Sequence, residues 1–383
     1  MNKDLFTWYT QSDTLADLII GLRLAESSGA KSLLLLTCNQ NIYPEEELSS
    51  LLTHCSLPIF GGIYPMITYQ ETLLKHGALI IGFNQAYNVT LFANLDLCKT
   101  EEHFESVINS QLSATQDFAQ NDSFLMFYDG LMTNIEDFID SFFECLDHGI
   151  SIVGGGAGYI DFIQRPCLFT NQGLTSNAVL LVTLPSKLTA QVAHGWKTFQ
   201  GPFLASEVEE QTILSINYQP AFELYSQTIE NESQYRFAEE SFFDIAKHFP
   251  LGIEDINNNL TVRELLVTEN GALQCAGKVP INSMVYLLES NVNNLIEAIE
   301  TAAIELYSTP ISTPTEENEQ ISMVFDCIGR MLYMGDDFGK ELEAINKHRN
   351  SPALFGVLSI GEIANSQSGA IQLLNKSTVI STW

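Results

Sequence analysis

Three stretches of this 383-residue chain share one order of features, and this repetition limits the folds it can adopt more than any other feature. Each stretch has an apolar strand pattern ending at a polar residue, a helix pattern, a glycine-bearing strand and a returning strand. The residue at the first strand end and the first glycine of the next strand are Cys38 and Gly61, Asp129 and Gly154, and Cys327 and Gly356. The similar spacing predicts one structural unit used three times.

Strand patterns that alternate with helix patterns predict an α/β fold, with a mixed α+β arrangement as the alternative. A different sequence pattern lies between the second and third repeats, with alternating strand patterns and a turn at Asn270-Gly271. We therefore expect two domains built from duplicated strand-helix-strand-strand units. Residues 1–215 hold two copies, and residues 216–383 hold the third at 321–380, with its returning strand at 370–374. Residues 308–320 are predicted to form a loop.

The composition argues against several classes of function. The chain has 47 Asp and Glu against 17 Lys and Arg, a net charge of -30, so it repels nucleic acids and anionic membrane surfaces. No apolar run approaches the roughly 20 residues of a membrane span, and the start lacks a secretory signal pattern. Seven scattered cysteines show no metal-ligand spacing, so we expect a cytoplasmic protein with reduced thiols and no bound metal.

Charged residues follow two strand patterns of the third repeat, at the strand ends where open α/β sheets bind ligands. The Arg330 guanidinium could clamp a carboxylate with two parallel hydrogen bonds, and Glu362 could accept from an ammonium group. Together they suit an amino acid, whereas the alternative is a structural pairing with each other or with the backbone. The predicted ligand-binding residues are Cys327, Gly329, Arg330, Gly356, Gly361 and Glu362.

Other residues suggest alternatives. Cys327 could act as a nucleophile, although no neighbouring base is signalled and a buried thiol is the plainer interpretation. His194, before Gly195-Trp196, is the candidate axial ligand if the protein binds haem, and its alternative is a turn histidine bonded to the backbone. The glycine run 154–156 lacks the Lys-Ser/Thr of a nucleotide loop, which favours close approach to a neighbouring strand or a ligand.

Short motifs run through most of the chain in a fixed order. In the first half they are Val153-Gly154-Gly155-Gly156-Ala157-Gly158, Asn177-Ala178-Val179, His194-Gly195-Trp196 and Gly201-Pro202. In the second half they are Pro220-Ala221, Phe249-Pro250-Leu251-Gly252, Val262-Arg263, Val279-Pro280, Asp326-Cys327-Ile328-Gly329-Arg330 and Gly361-Glu362-Ile363. In this order and spacing the chain resembles the FIST family, whose members have an N-terminal FIST domain followed by a C-terminal FIST domain.

The resemblance implies a sensory input module for small ligands such as amino acids, often found beside histidine kinases, cyclic-dinucleotide enzymes or chemoreceptors. Two departures stand out. Tyr64-Pro65 occupies a place where similar sequences tend to have Gly-Glu, which weighs against a ligand site in the first repeat, and Asn282 stands where a glycine is common. We expect a stand-alone cytoplasmic sensory protein, not an enzyme, that binds a small ligand and signals through a partner protein. The alternatives are a haem-based nitric oxide sensor and, less favoured, a Cys-dependent enzyme.

Overall fold

The computed structural model describes residues 5–114, 123–146, 149–184, 186–255, 259–308, 321–349, 351, 353–366 and 369–383. Helices and strands alternate along this length in mixed sheets, which confirms the α/β class. The predicted loop at 308–320 lies outside the described residues except for Ser308, which ends a helix. No helix within the described ranges has the length and apolar character needed to cross a membrane.

The first of three similar units, unit 1, shows the complete pattern of an outer strand, a helix, a strand, a second helix, a glycine-bearing strand, a hairpin and a returning strand. Its elements are β1 (Phe6–Thr10), α1 (Leu15–Ser27), β2 (Ser32–Cys38), α2 (Glu45–Thr53), β3 (Ile59–Tyr64), β4 (Met66–Tyr69), β5 (Thr72–Leu74) and β6 (Ala78–Phe83). Strands β2 and β3 are parallel and buried along their whole length, so their sequences are mostly unbroken apolar runs.

Unit 2 repeats this order. Its elements are β7 (Asn88–Phe92), α3 (Glu101–Ala114), β8 (Ser123–Asp129), α4 (Ile135–Cys145), β9 (Ser151–Ala157), β10 (Leu168–Thr170), β11 (Gly173–Thr175) and β12 (Val179–Leu184). Helix α4 has apolar residues at helical spacing, which form a stripe along one face. This stripe is buried and consists of Ile135, Phe138, Ile139 and Phe142.

Unit 3 begins with β13 (Thr189–Ala193) and is then interrupted by an inserted antiparallel sheet. The insertion contains β14 (Lys197–Glu209), β15 (Thr212–Ile216), β16 (Gln219–Pro220), α5 (Ala221–Glu232), α6 (Phe242–Ala246), β17 (Leu251–Glu254), β18 (Leu260–Arg263), β19 (Leu265–Glu269), β20 (Ala272–Cys275) and β21 (Met284–Glu289). Asn270 and Gly271 both have positive φ and connect β19 to β20, which confirms the predicted hairpin turn.

Unit 3 resumes after the insertion. Its remaining elements are α7 (Val292–Ser308), β22 (Ile321–Cys327), α8 (Ile328–Met334), α9 (Gly339–His348), β23 (Ala353–Ser359), β24 (Glu362–Asn365), β25 (Ile371–Leu374) and β26 (Thr378–Thr382). Strands β22 and β23 are parallel, as are β2 with β3 and β8 with β9. The predicted repetition therefore extends to the strand pairing at the centre of each unit.

Each unit contributes its hairpin to the sheet of another unit. Strand β4 of unit 1 pairs with β23 of unit 3, β10 of unit 2 pairs with β3 of unit 1, and β24 of unit 3 pairs with β9 of unit 2. The outer strands β1, β7 and β13 pair with the returning strands of their own units. The units are therefore interlocked in a closed cycle, and strand pairs join residues on both sides of the domain boundary predicted at residue 215.

The returning strand of unit 3 is β26, so its predicted assignment to residues 370–374 was wrong. Strand β26 pairs antiparallel with β22, as β6 pairs with β2 and β12 pairs with β8. Residues Ile371–Leu374 instead form the second strand of the exchanged hairpin. Strand β26 is buried throughout although it contains Ser381 and two threonines, so hydroxyl groups obscured its strand pattern.

Glycines in the middle strands allow the strands and sheets to approach closely. A Cβ at Gly61, Gly154 or Gly356 would lie 2.0, 2.1 or 2.3 Å from a carbonyl oxygen of the paired parallel strand. A Cβ at Gly155 would lie 2.6 Å from the ring of Phe325, which belongs to unit 3. The glycine run of unit 2 thus serves close packing against a strand and a side chain of the fold.

The three units also share a core. The ring centroid of Phe127 in unit 2 lies 6.0 Å from that of Phe60 in unit 1 and 5.9 Å from that of Phe325 in unit 3. All three side chains are fully buried and belong to one apolar cluster. Aromatic contacts at these distances add to the stabilisation from burial, so side-chain packing joins the same units that the exchanged hairpins join.

Candidate functional site

Arg330, the first predicted ligand-binding charge, is completely buried. Its Nε and Nη2 donate to Oε1 of Glu341 at 3.2 and 2.8 Å, and its Nη1 donates to the carbonyl oxygens of His194 at 2.6 Å and Lys376 at 3.2 Å. Oδ1 of Asp326 lies 3.5 Å from Nε. Arg330 therefore joins helix α9 to the turns that follow β13 and precede β26.

Glu362, the second predicted charge, is also fully buried, and its Oε1 accepts a hydrogen bond from Ser359 Oγ at 2.7 Å. Burial raises the pKa of Glu362 well above its usual value, against the opposing effect of the Ser359 hydrogen bond, and the neighbouring Asp326 adds to the rise. Burial likewise raises the pKa of Asp326. Oδ2 of Asp326 and Oε2 of Glu362 have no hydrogen-bond partner among the described residues. Both carboxyl groups thus favour their neutral forms.

A second buried ion pair lies beside the first. Lys376 Nζ is 2.7 Å from Oε1 of Glu264, and it donates to the carbonyl oxygen of Gly329 at 3.3 Å. A Cβ at Gly329 would lie 2.2 Å from Glu264 Oε2, so a larger residue there would displace the Glu264 carboxylate from its position beside Lys376. Each of the two cations faces one carboxylate, so the charges of the two ion pairs balance. We call these residues the unit-3 cluster: Glu264, Asp326, Cys327, Arg330, Glu341, Glu362 and Lys376.

The two remaining predicted residues lie next to this cluster. Gly356 stands within β23 at the close strand contact described above, and Gly361 begins the turn into β24 with φ +82°. A Cβ at Gly361 would lie 2.7 Å from the hydroxyl oxygen of Tyr128, which donates to the Gly361 carbonyl at 3.0 Å. None of the six predicted residues lines either of the two spaces described below, and their ligand-binding role stays a prediction.

Cys327 ends strand β22 and is buried. Burial, followed by the charges of Glu362 and Glu264, raises the pKa of the thiol well above its usual value. A nucleophilic cysteine needs the opposite shift, because the thiolate is the reactive form. This environment therefore favours an inert thiol at Cys327.

His194 lies in the turn after β13, and its ring accepts a hydrogen bond at Nδ1 from the backbone N–H of Trp196 at 3.0 Å. Burial, followed by the charge of Arg330, lowers the pKa of His194 to about 4, so the ring is neutral at pH 7. With Nδ1 accepting, the ring proton lies on Nε2. Haem iron binds an unprotonated ring nitrogen, so His194 in this geometry does not fit the role of axial ligand.

A small cavity of about 60 Å³ lies at the carboxyl end of β2 in unit 1. Its walls come from β2 and the turn after it, from the start of α2, and from two segments of unit 2. The lining residues are Thr37, Cys38, Asn39, Asn41, Tyr43, Glu45, Leu48, Ile63, Tyr159 and Leu174. The cavity occupies the place in unit 1 that the unit-3 cluster occupies in unit 3, since Cys38 and Cys327 both end the first strand of a parallel pair.

Three buried polar atoms of this cavity have no hydrogen-bond partner among the described residues, namely Thr37 Oγ1, Asn39 Oδ1 and Tyr43 Oη. Thr37 is 0% exposed. An unsatisfied buried polar group costs about 1–3 kcal/mol. Three such atoms around one cavity therefore indicate that a polar molecule, water or ligand, satisfies them.

The cavity is lined mainly by uncharged groups. Burial raises the pKa of Tyr43 and raises that of Cys38 to about 12, so both groups are neutral at pH 7. Among the described residues that line it, Glu45 carries the only charge. Neutral oxygens beside one carboxylate suit a group that donates hydrogen bonds and bears a positive charge.

The ligand site was predicted in the third repeat, whereas the cavity with unpaired polar atoms lies in the first. A signal for it was present, because a polar run at 39–41 directly follows the apolar strand β2. The Tyr64-Pro65 pair weighed against this repeat. In the structure Tyr64 is a fully buried residue whose hydroxyl donates to the carbonyl of Gly155 at 3.4 Å, so it serves the contact between units.

Two family models match consecutive parts of the chain, the FIST N domain at residues 32–219 and the FIST C domain at residues 221–365. Domains of this class are associated with sensory and signal-transduction proteins. Because the matches cover most of the sequence, the chain belongs to the FIST family, as its motifs predicted. A comparison with curated proteins gives no match.

Proposed function

We propose that this protein is a sensory module that binds a small amine-bearing molecule, such as an amino acid, in the unit-1 cavity and signals through a partner protein. The observation that carries this proposal is the convergence of unpaired oxygen atoms of Thr37, Asn39 and Tyr43 on one small cavity. The association of FIST domains with signal transduction supports the sensory role.

An ammonium group matches the polar end of this cavity. It offers three N–H donors, and the three unpaired oxygens are all able to accept. Glu45 adds a negative charge to the wall. The cavity volume of about 60 Å³ is enough for a polar head group the size of an ammonium group.

The position of the cavity supports a role in signalling. Thr37 and Tyr43 belong to unit 1, whereas Tyr159 and Leu174 belong to unit 2. A ligand held between them contacts two units at once, and its binding energy can change how they pack. The partner would read this change, and a histidine kinase or a cyclic-dinucleotide enzyme is the kind of protein that the family resemblance implies.

Thermal-shift titrations with amino acids and simple amines test the site. We expect at least one of them to raise the melting temperature, since a ligand at 100 times its Kd stabilises a protein by about 2.7 kcal/mol. Thr37→Val and Tyr43→Phe should abolish the shift. The unliganded Thr37→Val protein should be about as stable as the wild type, because the Thr37 hydroxyl makes no hydrogen bond to the described residues of the protein.

Tyr218→Phe is the matched control, because this tyrosine is 83% exposed and does not line the cavity. It should keep the full ligand-induced shift. If Thr37→Val and Tyr43→Phe also keep the shift while Arg330→Met loses it, the ligand binds in unit 3 and the assignment to unit 1 is wrong. A pull-down from native lysate, with and without ligand, that recovers no signalling protein would contradict the proposed partner.

A further inference from the structure

A second and larger space lies between helices α3 and α4 of unit 2. It is a groove of about 630 Å³, within the size range of small-molecule sites. Six carboxylates line it, and among the described lining residues Lys99 is the only cation. The acidic residues are Asp96, Glu101, Asp137, Asp140, Glu144 and Glu210.

A buried serine that lines the groove provides evidence for a ligand that is independent of this charge. Ser141 is only 3% exposed, lines the groove, and makes no hydrogen bond among the described residues. A helix-buried serine ordinarily donates to a carbonyl one turn back, so a free hydroxyl facing a groove is available to a ligand. The side chains of Phe104 and Phe143 provide apolar surface beside it.

The carboxylates of α4 are spaced along one face of the helix. Asp137, Asp140 and Glu144 are three and four residues apart, which puts them about 4.5 and 6 Å apart along the helix axis. At one end of this row Lys278 Nζ approaches Asp137 Oδ1 to 2.5 Å and Glu210 Oε2 to 3.0 Å. An ammonium group of the protein itself is thus already held by carboxylates of the groove.

We propose that this groove binds a linear aliphatic polyamine. Two amino groups separated by four methylene groups match the spacing of Asp140 and Glu144, the two carboxylates of the α4 row that Lys278 does not pair with. The Ser141 hydroxyl accepts from one amine, and the methylene chain contacts Phe104 and Phe143. Burial, followed by the Glu136 carboxylate, raises the pKa of Asp140 against the opposing charge of Lys278, so a further cation in the groove would stabilise the charged form of Asp140.

A divalent cation is the alternative ligand for this region, and a group of three glutamates distinguishes a metal site from a polyamine site. Carboxylate oxygens of Glu101, Glu105 and Glu144 lie within 4.8 Å of one another, close enough to share a metal ion. Glu105 does not line the groove. A metal site depends on Glu105, whereas a polyamine site depends on Asp140 and Ser141.

Isothermal titration calorimetry with spermidine in 150 mM salt tests the proposal on the full chain. We expect saturable binding of one spermidine that Asp140→Asn weakens roughly fivefold or more and Ser141→Ala weakens about threefold or more. Glu105→Gln should leave it within about twofold. Butylamine, with one charge, should bind far more weakly, and Mg²⁺ should not compete at equal concentration.

Non-specific attraction is a real competitor, because the chain carries a net charge of -30. Glu47→Gln on α2 is the matched control, since this residue is exposed and remote from the groove in sequence and lining. If Glu47→Gln and Asp140→Asn weaken spermidine binding equally, the binding depends only on the overall charge of the protein, and the proposal is overturned. Loss of binding with Glu105→Gln, or competition by Mg²⁺, would overturn it in favour of a metal site. Circular dichroism of each variant verifies that the helices are retained.

Discussion

Arg330→Met should destabilise the protein by about 4 kcal/mol at pH 7, because it leaves buried carboxylates without their counter-charge. Methionine is long and apolar, but it removes the hydrogen bonds that Arg330 donates to Glu341 and to the carbonyls of His194 and Lys376. Glu341 keeps only the neutral hydroxyl donor of Thr378. Loss of one partner of a buried ion pair costs about 3–5 kcal/mol. A carboxylate left alone can instead take up a proton, which at pH 7 costs about 4 kcal/mol for a glutamic acid of ordinary pKa.

Urea unfolding followed by circular dichroism measures this loss, and three comparisons identify its cause. Combining Arg330→Met with Glu341→Gln should recover much of the stability, since removing both charges of a buried pair is often nearly neutral. Lowering the pH from 7 to 5 should shrink the loss, by up to about 1.4 kcal/mol per pH unit, because the stranded carboxylate protonates more cheaply. Arg165→Met breaks an exposed pair with Asp161 and should cost less than about 1 kcal/mol.

The reasoning fails if Arg330→Met costs less than about 1 kcal/mol at pH 7 and loses a ligand-induced thermal shift. That result would give Arg330 the ligand-clamping role that the sequence suggested. A large loss of stability that the double variant does not recover would also count against the ion-pair account, because it would indicate a packing defect at residue 330.

Three further outcomes are expected. Gly154→Ala should cost about 1–3 kcal/mol or more in urea unfolding, because its Cβ would lie 2.1 Å from a carbonyl oxygen, whereas Gly339→Ala, with nothing within 4 Å, should be neutral or slightly stabilising. Residues 1–215 and 216–383 expressed separately should not unfold cooperatively but should copurify when co-expressed, and an independently folded half would refute the strand exchange. The raised native pKa of Glu362 stabilises the protein fully below its unfolded value near 4.5, and this contribution is lost as pH rises through the native pKa. Glu362→Gln should therefore flatten the fall in urea midpoint from pH 5 to 8, and an unchanged slope would show that Glu362 does not titrate as described.

The repeated units could be predicted because their central strands are buried on both faces. Such strands read as unbroken apolar runs, and β2, β8 and β22 all stand out in this way. The hairpin exchange could not be predicted. The joining strands β4, β10 and β24 are only four, three and four residues long, and short runs carry no information about which distant sheet they join.

The type of candidate site could be predicted from the sequence, but its location in unit 1 could not. Polar residues at the ends of parallel strands do mark the unit-1 cavity and the unit-3 cluster alike. The sequence does not distinguish the cavity from the cluster, because Arg330 pairs with Glu341, which lies 11 positions away on another helix. Only the folded chain shows that this charge is already paired, whereas the Thr37 hydroxyl is not.

The three equivalent strand ends explain how one duplicated unit can serve both stability and binding. In unit 2, Oδ2 of Asp129 accepts from Gln164 at 2.9 Å and from the backbone N–H of Asn177 at 2.8 Å. In unit 3 the ion pair of Arg330 fills the corresponding position. In unit 1 neutral residues, among them Thr37, leave a space of about 60 Å³ and unpaired oxygens. Two ends therefore stabilise the fold with their own side chains, and the third is free to exchange water for a ligand. Mutations at Thr37 should consequently change binding without lowering stability, and mutations at Arg330 should do the reverse.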